Sequence, residues 1–592
     1  MTADRLSSSR LATGVFVALV LATVGAFFVI QRLKRGTPVA TKIHLQRYVS
    51  PNGDGRLDRA VVQFKLPKAA DSVTVSITDA NGDEVRRLAE RRLRKGRHRF
   101  HWNGRDGSAS IVPDGFYYLR VVLNGEGRGS FSRDGIEVVT KPPHAKLVSV
   151  DPSRIPPGAR QAVTIRFEGP TRQPALISVY RTDLAVPRLV TRFDAPDGQQ
   201  TATWDARIAG RPAPPGTYAF GVTVRNVAQV AGSSPFHLPP TAKTALQHSG
   251  VTIGGPSAAP PLEPVRAGAT ARVGVTGIAG PLRWTLTPLG SHKPLKRGRG
   301  HAPALSIPLP RKASTGVYLV GISSAGGATV APLAVQGRRR GRVLVVLPAI
   351  TWQGLNPVDD DTDGFPDTLD SAAAVPLTRP FASGRVPAGL NGEIRPLLRF
   401  LASNHLGYDI TTDVALARGS GPQLDHRPGV VFAGSERWFT EPLDKRLRSY
   451  VENGGRVASF GSDSLRRTVA LSSTQLSDPS PAQETNALGE QTAPISSAAA
   501  PLVVNQPDTL GLFAGSDGFV GLFTHFEQSR RRVSGANLQS SAGRDPQHPA
   551  FVAYQLGRGL VVRTGTPEWS KSLSSDTEVA RVTTNLWSLL SR

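Results

Sequence analysis

FHWNGRDGSASIVPDGFYYLRVVL, residues 100–123, returns as ATWDARIAGRPAPPGTYAFGVTV, residues 202–224, with Trp102 matching Trp204, Gly115 matching Gly216 and Tyr117 matching Tyr218. A degenerate third copy, STGVYLVGIS, runs from Ser314 to Ser323 with Gly316 and Tyr318 in the matching places. The pattern has a mechanical reading. A Trp strand enters a core, a Pro-Asp-Gly or Pro-Pro-Gly turn reverses the chain, and an aromatic two residues later alternates inward. Upstream, Val61 to Phe64 and Ser72 to Thr78 are short strands set between Gly, Pro and polar clusters, the spacing of a β-sandwich. Three such units in series predict tandem all-β, immunoglobulin-like sandwiches over residues 37–142, 143–240 and 245–336.

SPNGDGRLD, Ser50 to Asp58, together with Trp102 and the DGFYYLRV segment, resembles the immunoglobulin-like domain of flagellar hook-capping proteins. The resemblance covers the first two units well and the third poorly.

From Arg342 the texture changes. RVLVVLP is a buried-strand run, Ile394, Leu397, Leu398 and Leu401 keep a helical period, and GVVFA and RVASF flank a helix near Glu441 to Val451. Strand alternating with helix predicts that residues 342–592 form an α/β domain with a doubly wound parallel sheet, flavodoxin-like in class. The Ser-, Pro- and Ala-rich segment Ser472 to Pro501 reads as a long loop or insertion.

The sharpest chemical motif is DDDTDGFPDTLD, Asp359 to Asp370. As a calcium loop it offers Asp359, Asp361, Asp363, the Phe365 carbonyl, Asp367 and Asp370 as ligands, with Gly364 at the sharp turn. Oxygen fills every ligand slot, which suits a hard dication. SPNGDGRLD repeats part of the pattern with Asn52, Asp54 and Asp58, and the same sequence also reads as a plain turn.

TWQGLN (Thr351 to Asn356), GSERW (Gly434 to Trp438) and GTPEWS (Gly565 to Ser570) each follow a predicted strand. Together they resemble the C-terminal, glutamine-amidotransferase-like domain of the large subunit of N,N-dimethylformamidase. The resemblance implies hydrolysis of a small amide by an iron held through Tyr and Glu side chains, with Glu436 at the acidic position. Leu355 and Arg437 stand where the family places aromatic residues, so the ligand set for iron or zinc is depleted and the domain reads as catalytically silent. An amide or ester hydrolase would use Glu436 with a metal, or Ser435 with His525. A complete absence of Cys removes any thiolate nucleophile or thiolate metal site.

With 39% hydrophobic and 20% charged residues the chain has the composition of folded domains, and its length of 592 requires several of them. The net charge of +26 is clumped at Arg86 to Arg99, Lys293 to His301, Arg338 to Arg342 and Arg530 to Arg532. Without interleaved aromatics these runs read as solvated loops, and specific nucleic-acid recognition is not expected. Leu11 to Ile30 carries no charge and has the ~20-residue length of a membrane-crossing helix, so residues 1–36 are expected to be a cytoplasmic stub and single-pass anchor. On that expectation the bulk of the protein is extracytoplasmic, on a bacterial cell surface. Its partners are then the cytoplasmic membrane and an anionic wall polymer or another surface protein.

Overall fold

The computed structural model describes residues 38–592 apart from 159–160, 279, 326, 382–384 and 533–535, together with 15–16, 18–20 and 22–24. The three sandwiches form as the repeats predict. In the first, a sheet of Thr41–Leu45, Ala60–Leu66 and Gly96–Trp102 faces a second sheet centred on Ala70–Thr78 and Gly115–Leu123. Trp102 and Tyr117 meet in its core at 5.2 Å, and in the second sandwich Trp204 and Tyr218 meet at 5.3 Å. The polar tips of these anchors are satisfied alike. Trp102 Nε1 donates to the Arg105 carbonyl at 2.9 Å and Trp204 Nε1 to that of Arg207 at 3.0 Å. Tyr117, Tyr218 and Tyr318 each donate from the phenol to the carbonyl four residues upstream, those of Pro113, Pro214 and Ser314. This device clamps the turn that the Pro-x-Gly sequence opens.

The run Arg86 to Arg99, expected as solvated loop, is instead carried mostly by two strands, Glu84–Leu93 and Gly96–Trp102, which belong to the two opposed sheets of the sandwich. Alternation along Gly96–Trp102 puts Arg97 and Arg99 on one exposed face, so a high density of charge is compatible with regular structure.

The C-terminal region departs from expectation. Five strands are parallel in the order Tyr408–Thr412, Val343–Leu347, Gly429–Phe432, Arg456–Ser459, Gly559–Arg563. Four more, Phe551–Leu556, Asn537–Gly543, Ser496–Asn505 and Phe519–Phe526, extend the same sheet antiparallel. The doubly wound, flavodoxin-like and glutamine-amidotransferase-like fold is therefore corrected to a mixed nine-stranded sheet in a β-rich multidomain chain, with 43% strand against 11% helix. Connection length is one cause: only Gly557 and Arg558 separate Phe551–Leu556 from Gly559–Arg563, and residues 544–550 separate Asn537–Gly543 from Phe551–Leu556, whereas a parallel partner needs a crossover of roughly a dozen residues or more. Ser472 to Pro501 is not simply a loop either, since Ser496–Asn505 lies inside this sheet.

The single-pass anchor is also withdrawn. Among the described residues no helix is long and apolar enough to cross a membrane. Of Leu11 to Ile30, Val15, Phe16, Ala18 to Val20 and Ala22 to Val24 are helical and the remainder lies outside the described residues. The single-pass, extracytoplasmic and cell-surface placement rested on that helix and is corrected with it.

The third sandwich and the C-terminal domain share one continuous core. Trp284, Leu286, Tyr318 and Val335 of the sandwich belong to the same buried cluster as Val345, Leu401, Phe523 and Leu590. The first and second sandwiches keep cores of their own.

Candidate functional site

The acidic loop follows the helix Ala349–Gly354 and is closed at its neck by a bridge between Val358 and Asp367. Asp359, Asp361 and Asp363 converge, with one oxygen of each within 4.8 Å of the others. Their second oxygens and neighbouring amides set the shape: Asp359 Oδ2 accepts from the Gly364 amide at 3.0 Å, Asp361 Oδ1 from that of Asp363 at 3.1 Å, and Asp363 Oδ1 from that of Phe365 at 2.7 Å. Gly364 has φ +89°, a left-handed conformation that an L side chain resists. Asp359 Oδ1 is buried with no partner. Burial and the adjacent Asp363 push the Asp359 carboxyl up to about 8, and burial pushes that of Asp363 up to about 7. A cluster with protons held this tightly is one that a dication relieves.

Two other predicted ligands are placed differently. Asp367 accepts from the Asp360 amide at 2.7 Å beside the cluster, and Asp370 is turned away into an ion pair with Arg437 at 2.8 Å. The Phe365 side chain is buried in the domain. In the SPNGDGRLD turn, Asp58 accepts from the Gly53 and Gly55 amides at 2.7 and 2.8 Å, and Asn52 from that of Asp54 at 3.1 Å. Those oxygens hold the turn together, while Asp54 reaches Arg225 of the second sandwich at 3.5 Å.

The acidic loop does more than gather carboxylates. Its backbone docks on the second sandwich: the Gly250 amide donates to the Thr362 carbonyl at 2.8 Å, the His248 amide to that of Asp361 at 3.3 Å, and the Thr182 hydroxyl to that of Gly364. Gly250 and Gly364 lie so close that a Cβ on Gly250 would run into the Gly364 backbone.

A second cluster sits at the carboxyl ends of the parallel strands. The Thr351 hydroxyl of TWQGLN accepts from the amides of Arg437 and Trp438 in GSERW at 2.9 and 3.3 Å, so two segments far apart in sequence are tied together. This places Glu436, fully buried, beside Asp413, which itself accepts from the Ile350 and Val414 amides. Burial and Asp413 raise the Glu436 carboxyl well above its usual range, and burial holds Asp413 up to about 7. Both Glu436 oxygens are buried without a hydrogen-bond partner, and two neighbouring buried carboxyls do not ionise together, so one of them keeps its proton. Ser435 does not meet His525. Its amide and hydroxyl bond Glu393 at 2.7 and 3.3 Å, whereas His525, half exposed, pairs with Glu568 at 2.5 Å. Sequence reasoning missed Asp413, Glu393 and the linking role of Thr351; the only local hint was the polar end of YDITTD after an apolar strand.

Residues 50–127 match the family described as FlgD Ig-like domain, and residues 287–488 match the family described as N,N-dimethylformamidase beta subunit-like, C-terminal. The second match runs from the third sandwich into the C-terminal domain, in keeping with their common core. Over 84 residues the chain is 34% identical to the basal-body rod modification protein FlgD of Salmonella typhimurium and 36% identical to that of Escherichia coli K12, which is 14% of this chain and 33% of each relative. The chain thus spans about a third of the length of these curated relatives. Among solved structures, FlgD from P. aeruginosa is 18% identical over 22% of this chain and 89% of its own, at a TM-score of 0.13. The N-terminal four Ig domains of Dscam1 isoform 6.9 are 15% identical over 51% of this chain and 73% of their own, also at 0.13.

Proposed function

We propose that the chain is a calcium-braced binding scaffold, in which one Ca²⁺ held by Asp359, Asp361 and Asp363 fixes the second sandwich against the N,N-dimethylformamidase-like domain. The observation that carries this reading is the convergence of three carboxylates within 4.8 Å on a loop whose carbonyls, from Asp361 to Gly364, are bonded to another domain. The Phe365 carbonyl and Asp367 are the remaining donors on the loop, and Asp370 is committed to Arg437. Titration of the metal-free chain with calcium in a calorimeter is expected to give one site that vanishes in the double variant Asp361→Asn, Asp363→Asn. Failure of the unaltered chain to bind calcium at millimolar concentration overturns the reading.

A second reading keeps an amide- or ester-cleaving site at Glu436, and the retained proton favours it, because a neutral carboxyl at neutral pH is the form in which a general acid acts. The residues present do not fit iron or zinc. Among the described residues Glu436 joins no group of three converging ligands, and the Arg437 side chain lies over the Trp438 ring at 4.9 Å where the resemblance implied a phenol. Hydrolysis of small amides or esters by the full chain, abolished in Glu436→Gln and insensitive to chelator, would establish this second reading. The scaffold reading expects no turnover.

A further inference from the structure

The first sandwich carries a groove that the scaffold reading leaves unused. It lies on the outer face of the sheet Thr41–Leu45, Ala60–Leu66, Gly96–Trp102, has a volume of about 340 Å³, and is walled by Lys42, His44, Lys65, Arg97 and Arg99. The three strands, TKIHL, AVVQFKL and GRHRFHW, contain no Asp or Glu. Among the described residues none of the four Lys and Arg side chains in the groove forms an ion pair, although the chain makes many elsewhere. Lys65 faces Arg97 across the ladder, and Arg99 follows beside Gln63 and His44. Directly opposed residues stand ~5 Å apart and alternate residues on a strand ~7 Å apart, so four positive charges crowd a patch of three strands, ~10 Å by ~7 Å.

Like charges at such spacing repel, and nothing in the fold demands them. The second sandwich provides the internal control. Aligning the ladders on the Trp pairs, Ala60 with Trp102 and Val163 with Trp204, places Thr201 where the first sandwich has Arg99, Thr203 where it has His101, and Glu168 where it has Lys65. There Glu168 pairs with Lys146 at 3.7 Å. In the third sandwich the same face offers Thr270, Arg272 and Ser306. One architecture thus carries a mixed-charge face in the second sandwich, where Lys146 and Arg166 stand with Asp151 and Glu168, a face with the single cation Arg272 in the third, and an unneutralised groove of four cations in the first.

We infer that this groove binds an extended phosphate-chain polyanion without bases. Closely spaced guanidinium and ammonium groups suit a ligand with a full charge on every repeat, and arginine can grip a phosphate through two N–H donors. No Phe, Tyr or Trp offers the groove a free face for a base, since Phe64, at the floor, is 1% exposed and is stacked on Phe100 at 6.0 Å. Among the described residues no exposed large hydrophobic side chain lines the groove for the stems of an acidic polypeptide.

Long-chain inorganic polyphosphate is the probe, titrated against the full chain at several salt concentrations, with oligo(dT) of equal phosphate number and poly-L-glutamate as comparators. Polyphosphate is expected to bind at least as tightly as oligo(dT) and more tightly than polyglutamate. Its affinity should fall as salt rises, with a logarithmic slope of about −3 for roughly four contacts. The variant Lys65→Gln, Arg97→Gln, Arg99→Gln should weaken it tenfold or more. The same charge removed at the exposed run Arg338→Gln, Arg339→Gln, Arg340→Gln should weaken it less than threefold. An equal loss in both variants would show that only the net charge attracts the polymer, and would overturn the inference. So would oligo(dT) binding tenfold tighter than polyphosphate, or polyglutamate binding equally well. Unchanged melting of both variants establishes that they fold, and a single substitution, Arg99→Gln, with a twofold to fivefold loss supports the assignment if the triple variant does not fold.

Discussion

The first and second sandwiches share their Trp and Tyr anchors and the hydrogen bonds that fix them, yet their surfaces are spent differently. The second gives the edge around Gly250 to the acidic loop and has a mixed-charge outer face. The first makes no such dock and keeps a bare cationic groove. The anchors are interior and local to each repeat, so they are constrained by the fold itself, whereas the outer residues are free to vary with whatever each unit meets.

That contrast breaks most visibly at one matched pair of glycines. In the ladders Gly250 of the second sandwich occupies the place that Gly135 has in the first. A Cβ at Gly250 meets the backbone of Gly364 at 2.1 Å, which cannot yield, while one at Gly135 meets ring atoms of Tyr118 and Phe116 and the Tyr117 carbonyl no nearer than 3.2 Å, a crowding that a shift of a few tenths of an ångström relieves. Gly250→Ala should therefore destabilise the protein by about 3 kcal/mol and Gly135→Ala by less than about 1 kcal/mol, measured by denaturant unfolding. Equal costs would mean that the dock contributes nothing.

Calcium supplies the next effect. Binding to the folded state alone stabilises by roughly 2.7 kcal/mol at a hundredfold excess over the dissociation constant. In calorimetric scans the transition containing the second sandwich and the C-terminal domain should rise by several degrees, while that of the first sandwich stays where it is. A rise in the first transition of the same size would place the ion at Asn52, Asp54 and Asp58 instead.

A pH scan separates the regions in a third way. Burial holds the Asp413 carboxyl up to about 7 against an ordinary 3.8, so the folded chain retains a proton that the unfolded chain gives up. Stability from this proton is whole below pH 3.8 and is lost as the pH climbs to about 7. The C-terminal transition should fall between pH 5 and pH 8, and Asp413→Asn should shrink that fall by on the order of 2 kcal/mol. Among the described residues the first sandwich has no carboxyl raised in this way, and its own transition should be flat over the same range.

The smallest effect tests what the two sandwiches have in common. Tyr117→Phe and Tyr218→Phe each remove one phenol-to-carbonyl bond and should each cost about 1 kcal/mol. A large disparity between them would mean that the turn clamp is not the same device in both.

What the sequence disclosed follows from distance along the chain. Trp102, Gly115 and Tyr117 lie within one hairpin, so their spacing alone predicted the sandwich, and Asp359, Asp361 and Asp363 lie within one loop, so their alternation predicted the carboxylate cluster. The pairing of Glu436 with Asp413, the tie from Thr351 to the GSERW turn, and the grip of Glu393 on Ser435 join residues that only the tertiary fold brings together. The antiparallel half of the large sheet was missed because short apolar runs such as FVAYQL and FVGLF read the same in either direction of pairing. The cationic groove was hidden for a related reason: a run of arginines looks like loop until a register shows which of them face one way.

The core shared by the third sandwich and the C-terminal domain has a consequence for biosynthesis. Trp284 and Val335 leave the ribosome well before Leu586 and Leu590, which complete the cluster they belong to. During that interval the nascent chain displays an apolar surface with no mate, a natural substrate for holding chaperones and a point where translation speed decides between folding and aggregation. The first two sandwiches, each with a private core, can close as soon as they emerge.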